Sequence, residues 1–184
     1  FLNKQLFCLI EDRLFFVDAE TDGLNGNYIS IAIIVTDLDC IEQERYYYGI
    51  DKNRLCVSDE WTKKNVIPIM GSYAEKADEQ ELLESFWSVW MKYRDRAYAI
   101  GDVIYPVEAR LFQRCVYKDV NDRGYYGPFP FIDLSSILFA HNIDPLSERE
   151  QLTSKEFKNE SIQHNALYDV EMTIDIYKNL MRKS

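Results

Sequence analysis

The segment YISIAIIVT, residues 28–36, constrains the fold most. Its β-branched side chains crowd a helical turn but fit a pleated strand, so the chain must build a sheet around it. RLFFVD at residues 13–18 is an apolar run ending in a carboxylate, which suits a buried strand. RYYYGI at residues 45–50 reads as a third strand. Turn-rich TDGLNGN at residues 21–27 separates the first two, and the three together read as a meander.

Helical spacing dominates the next part of the chain. Leu82, Leu83, Phe86, Trp87, Val89, Trp90 and Tyr93 recur on one side of a predicted helix over residues 75–94, with acidic residues early in it. AYAIG at residues 97–101 is a short strand ending at Asp102. Pro106 suits the first turn of a helix running to about Tyr117. Residues 129–132 form another strand, and Asp133 caps a helix over residues 134–140. The last strong helix covers residues 166–182, with Leu167, Val170, Ile174, Tyr177 and Leu180 on one face. Residues 51–73, interrupted by Pro68 and Gly71, read as a short helix and a loop, and residues 144–162 as polar and irregular with a short helix. The order describes an α/β chain with helices on a mixed sheet.

The 184 residues fit one domain, residues 1–184, with residues 1–12 as a leader segment. Apolar residues at 47% and charged residues at 28% describe a globular chain. The net charge of −10 disfavours a protein that coats nucleic acid by charge alone. It does not disfavour an acidic site neutralised by bound metal. No apolar run is long enough for a membrane-spanning helix, and the first residues lack the basic region of a signal peptide. Cys8, Cys40, Cys56 and Cys115 are scattered. They read as reduced thiols of a cytoplasmic protein, with Cys8 and Cys115 buried.

Four groups of residues carry chemistry. Asp18 and Glu20 lie two apart at a strand end, so both carboxylates face one way and can converge on a cation such as magnesium or manganese. The alternative is a pair of solvated loop acids, but the position after an apolar strand and before a glycine-containing turn favours a site. His164 precedes the last helix, and Asp169 shares a helical face with Ala166 and Thr173. Taken alone, that pair reads better as a helix-start surface histidine and a dipole-favoured surface acid. Asp102 ends the fourth strand, and Glu108 follows Pro106 in a first helical turn.

In this order the pieces resemble the DEDDh family of 3′–5′ exonucleases, which includes the proofreading subunit of bacterial DNA polymerase and ribonuclease T. FVDAETDGL at residues 16–24 matches the family's D-x-E-T-x-G-L motif, and HNALYD at residues 164–169 matches H-x-A-x-x-D. The second motif departs from the family pattern. In IGDVIYPVEARLF, residues 100–112, alignment on Leu111 and Phe112 selects Glu108, whereas alignment by residue type selects Asp102. Both registers are open. His141–Asn142 has the H-N dipeptide of that motif but follows a predicted helix, and is set aside.

The resemblance implies a ribonuclease H-like fold, a mixed five-stranded sheet flanked by helices. It implies two divalent ions, Mg²⁺ or Mn²⁺, held by Asp18, Glu20, Asp169 and either Asp102 or Glu108, with His164 as general base. Ala19, Thr21, Gly23 and Leu24 would grip the terminal nucleotide of a single-stranded DNA or RNA 3′ end. A homodimer is open by analogy with ribonuclease T. Tyr105 and Trp61 are candidates to stack on bases, and Lys63, Lys64, Arg110, Arg114 and Lys155 to follow the phosphate backbone. Two other readings stand beside the exonuclease. One is a catalytically weak nuclease-like module that binds a nucleic-acid end or a protein. The other is a hydrolase of very short oligonucleotides.

Overall fold

The computed structural model describes residues 12–154 and 164–182. The meander forms as expected, from β1 (Arg13–Thr21), β2 (Tyr28–Thr36) and β3 (Glu42–Ile50), all antiparallel. β4 (Ala74–Lys76) lies parallel to β3, β5 (Ala97–Gly101) parallel to β1, and β6 (Phe131–Asp133) parallel to β5. The sheet is therefore mixed and six-stranded, in the order β4-β3-β2-β1-β5-β6.

The helices are α1 (Glu60–Asn65), α2 (Glu79–Tyr93), α3 (Val107–Tyr117), α4 (Val120–Arg123), α5 (Leu134–Ala140), α6 (Arg149–Leu152) and α7 (Ala166–Met181). A single 3-10 turn, Ile67–Ile69, follows α1.

The two-residue period of β1 divides its side chains between two layers. Phe15, Val17 and Ala19 face α2 and α3 in a core that includes Phe86, Trp90 and Phe112. Phe15 and Phe112 each meet Trp90 edge-to-face, with ring centroids 5.2 Å apart. The Trp90 indole N–H donates to the Tyr126 carbonyl at 2.6 Å. Leu14 and Phe16 face α7, packing with Ala32, Ile34, Ala166 and Val170. Asp18 and Glu20 continue that second face, so the alternation that builds the core also aims two carboxylates at α7.

The structure differs from the sequence reading in several places. β1 runs on through Thr21, because β2 pairs with it up to Thr21↔Tyr28. The sixth strand, β4, takes the start of the segment read as helix. The helix begins only at Glu79, where the Asp78 carboxylate accepts the Glu81 N–H at 2.9 Å. All seven apolar residues expected on α2 are buried. On α7 the expected stripe is too narrow. Leu167, Ile174 and Tyr177 are half-buried, while Ala166, Met172, Thr173 and Ile176 are buried. The reason is burial on two sides, against the sheet and against Leu134 and Leu138 of α5. The tetrapeptide helix α4, capped by Asp119, was not legible in the sequence.

Cys40 and Cys115 are buried and Cys56 is exposed, all as free thiols. Residues 1–11, with Cys8 and nearly all of the expected leader, and Lys155 with the end of the 144–162 segment lie outside the described residues. Among the described residues no helix is long and apolar enough to cross a membrane.

The aromatic packing gives a direct stability test. Phe112→Ala should destabilise the chain by about 3–5 kcal/mol in urea titration, as a cavity in a dense core does. Tyr125→Ala, at a side chain left 92% exposed, should change stability by no more than about 0.5 kcal/mol.

Candidate active site

Three elements bring the acidic residues together. Asp18 and Glu20 stand near the end of β1, opposite Ala32 and Ser30 of β2. Asp169 enters from the first turn of α7. One carboxylate oxygen each from Asp18, Glu20 and Asp169 can lie within 4.8 Å of the others.

Asn165 sets where α7 begins. Its side-chain oxygen accepts the N–H groups of Leu167 and Tyr168 at 3.1 and 3.2 Å, and its amide donates to the Ile69 carbonyl at 2.7 Å. Ala166, fully buried, lets the helix start lie close on the sheet.

The two second-motif candidates have different surroundings. Asp102 is clamped by Arg149, whose Nε and Nη2 donate to its two oxygens at 2.5 and 2.9 Å. The remaining guanidinium N–H groups go to the Ser135 hydroxyl and to the Ser147 and Pro145 carbonyls. The Asp102 charge is thus compensated by a bidentate partner, with both side chains less than one-fifth exposed.

Glu108, in the first turn of α3, is 4% exposed, with no ion-pair partner among the described residues. Neither residue belongs to the compact group of Asp18, Glu20 and Asp169. A cavity of about 380 Å³ opens beside that group, walled by Asp18, Asp102, Arg149, Glu150, His164 and Asp169.

Burial and mutual repulsion push these acids up. Desolvation, then the neighbouring Asp102 charge, raises Asp18 to about 7. Glu20, Glu108 and Asp169 are raised well above the carboxylate range, first by desolvation and then by the charge of Asp18, with Asp169 and Glu108 adding at Glu20, Asp102 at Glu108, and Glu150 and Asp102 at Asp169. Backbone N–H groups oppose this only in part, at Glu108 from Ala19 and Glu108 itself and at Asp169 from His164.

Such a set fits hard divalent cations. It offers oxygen donors only, from several elements, with charge that the protein itself leaves uncompensated.

His164 sits at the cavity wall with its backbone in the left-handed region, φ 67°. Val103, also on the wall, has φ 50°. Non-glycine residues hold this conformation at a cost, and such strain gathers at functional sites. Desolvation lowers the His164 imidazole below its ordinary value, with Glu150 opposing.

The Trp61 ring stands edge-to-face to His164, with centroids 4.8 Å apart. Trp61 was a candidate stacker, and α1 carries it to the histidine. Tyr105 lies exposed in the loop after β5.

The loop after β1 is fixed from inside. The Thr21 hydroxyl donates to the Gly23 carbonyl at 2.7 Å, and the Gly23 N–H donates to the Thr62 hydroxyl at 3.0 Å. Gly23 has φ +66°, a conformation glycine adopts without strain. The Asp22 carboxylate accepts the N–H groups of Ser58 and Asp59, tying the loop to the start of α1. Ala19 is buried beneath, and Leu24 is 62% exposed at the tip.

Sequence reasoning missed Arg149, Glu150 and Asn165. A capping pattern, Asn165 ahead of an apolar run, was available for the last; nothing local marked the other two. Of the basic candidates, Arg114 pairs with Glu79 at 2.5 Å and Lys63 with Glu60 at 2.6 Å. Arg110 donates to the Gly26 carbonyl at 3.1 Å. His141 caps the end of α5, which accounts for the stray H-N dipeptide.

No protein-family model and no curated protein matches the sequence. Solved structures do match in shape. The zinc-bound complex of Escherichia coli exonuclease I with single-stranded DNA superposes with a TM-score of 0.66 at 16% identity, covering 95% of this chain and 41% of that one. The chain has the ribonuclease H-like exonuclease fold. Exonuclease I of E. coli in complex with a dA16 oligonucleotide gives 0.59 at 17% identity, covering 94% and 41%. Exonuclease I of the moderately thermophilic Methylocaldum szegediense gives 0.55 at 17% identity, covering 94% and 40%. The chain thus spans about two-fifths of the length of these exonucleases.

The raised carboxyls have a sign that can be measured. Asp18 binds its proton more tightly folded, at about 7, than unfolded, at 3.8. Its contribution to stability is therefore present in full below about pH 4 and lost as pH rises through about 7. Glu20, Glu108 and Asp169 act in the same direction. In EDTA the melting temperature should fall from pH 5 to pH 7, and millimolar Mn²⁺ should reduce or reverse that fall. A flat profile in both would contradict the electrostatic account.

Proposed function

We propose that the chain is a metal-dependent 3′–5′ exonuclease of DEDDh type, residues 1–184 acting as one nuclease domain on single-stranded nucleic acid. The observation that carries this is the convergence of Asp18, Glu20 and Asp169 at the end of β1, inside an exonuclease fold. The E. coli exonuclease I complexes with single-stranded DNA, dA16 and dT13 support single-stranded DNA as the first substrate to test. The scattered free cysteines support a reducing, cytoplasmic setting.

Asp18, Glu20 and Asp169 would hold two divalent ions, Mg²⁺ or Mn²⁺. Of the two second-motif candidates, Glu108 is our choice for the fourth acid, because Asp102 already has Arg149. When bound, the ions supply the positive charge that draws in the phosphate, acidifies the attacking water and stabilises the leaving 3′ oxygen.

His164 takes the proton of the attacking water. Its lowered pKa keeps the imidazole neutral and able to accept a proton near pH 7. Leu24, exposed in the loop after β1, and Trp61, exposed on α1, offer apolar surface to the terminal base. The backbone from Ala19 to Gly23 fixes where the terminal sugar can lie.

The test uses matched 5′-labelled single-stranded DNA and RNA oligonucleotides with Mg²⁺ or Mn²⁺. A ladder shortening from the 3′ end, lost in EDTA and in Asp18→Ala, is expected. His164→Ala should lower the rate by about 10²–10⁴-fold. Glu108→Gln should abolish cleavage and weaken Mn²⁺ binding, whereas Asp102→Asn should leave Mn²⁺ affinity within a few-fold. The reverse pattern would assign the second motif to Asp102. Metal binding without cleavage of either polymer would favour a nucleic-acid-end or protein-binding module.

A further inference from the structure

Among the described residues one buried side-chain oxygen has no hydrogen-bond partner, the hydroxyl of Ser30. Ser30 is fully buried in the middle of the sheet. The β1–β2 register places it directly opposite Glu20. Directly opposed residues of an antiparallel pair share a face, with Cβ atoms about 4.5–5.5 Å apart. Glu20 and Ser30 therefore stand side by side on the face that carries the acidic cluster.

A buried hydroxyl without a partner is a net cost of about 1–3 kcal/mol. One polar neighbour is at hand, the Tyr47 hydroxyl, but it lies outside hydrogen-bond geometry from Ser30. The hydroxyl of Tyr47, whose neighbour across the sheet is Ala32, donates to the Met70 carbonyl at 2.8 Å. Beside Ser30 on β2, Ile29 and Ile31 are fully buried and apolar. Alanine would suit this position better if it served packing alone, as Ala32 does two residues on.

A carboxylate has about four lone-pair positions, and metal ions take only some of them. The remainder need donors. A serine hydroxyl rotates freely, so it can turn toward whichever acceptor is present.

We propose that Ser30 is a positioning residue for the metal site, its hydroxyl donating to the Glu20 carboxylate when that carboxylate binds a divalent ion. The hydroxyl fixes the orientation of Glu20 from the β2 side. This rests on the reading of the acidic cluster as a metal site. It adds the residue that orients one of its ligands.

The experiment compares wild type with Ser30→Ala by calorimetric Mn²⁺ titration, alongside the melting temperature in EDTA. A hydrogen bond to a charged group contributes about 1.5–3 kcal/mol, so loss of the hydroxyl should weaken Mn²⁺ affinity about tenfold or more. The melting temperature in EDTA should stay level or rise, since an unpartnered buried group has gone.

Mn²⁺ affinity within twofold of wild type overturns the proposal while leaving the metal site standing. So does a lowered melting temperature in EDTA, which would make the hydroxyl a structural partner in the metal-free chain. Failure of wild type itself to bind Mn²⁺ overturns the metal site and this proposal with it. Thr36→Ala, removing another buried hydroxyl at the far end of β2, should leave Mn²⁺ affinity unchanged.

Discussion

The site depends on the repulsion among acidic side chains partly withdrawn from water at one end of β1. Asp18, Glu20, Glu108 and Asp169 are each pushed toward the protonated form by burial and then by a neighbouring acid, Asp102 at Asp18 and Asp18 at the other three. A chain selected for stability alone would not assemble them. Their assembly requires rigid walls, and the aromatic layer of Phe15, Phe86, Trp90 and Phe112 beneath α2 and α3 supplies one. Asn165, bonded to both the helix start and the Ile69 carbonyl, supplies another at α7. The Arg149 clamp treats Asp102 in the opposite way, giving that acid the cation which the others lack.

Much of this is legible in the sequence. The run of β-branched residues in β2 and the alternation in β1 fix the central strands, and α2 follows from its apolar spacing. The two-residue separation of Asp18 and Glu20 sufficed to put them on one face. What escaped were features whose cause lies elsewhere in the chain. β4 is three residues long and mostly exposed, so its strand character comes from β3 beside it. The stripe on α7 widens because α5 covers a second side, which one helix's pattern cannot reveal. Our choice between Asp102 and Glu108 turns on Arg149, 47 residues from Asp102 in a polar segment without local signal.

The same logic connects the loop after β1 to α1. Asp22, Gly23 and Thr21 are bonded to Ser58, Asp59 and Thr62, so the turn that follows Asp18 and Glu20 is tied to the helix carrying Trp61. Trp61 in turn touches His164. Strand end, loop, aromatic and histidine form one connected wall. The chain spans about two-fifths of the length of exonuclease I, and the likeness over that portion is one of fold.

The central claim is that the acidic cluster is a site whose protons give way to metal. Titration of Mn²⁺ in buffers of different ionisation enthalpy at pH 6–7 measures the protons released on binding. Asp18, raised to about 7, and Glu20, raised well above the carboxylate range, must lose protons when cations take their place, so release of one or more protons per chain is expected. Binding without proton release would contradict the account, as would release undiminished in Asp18→Ala.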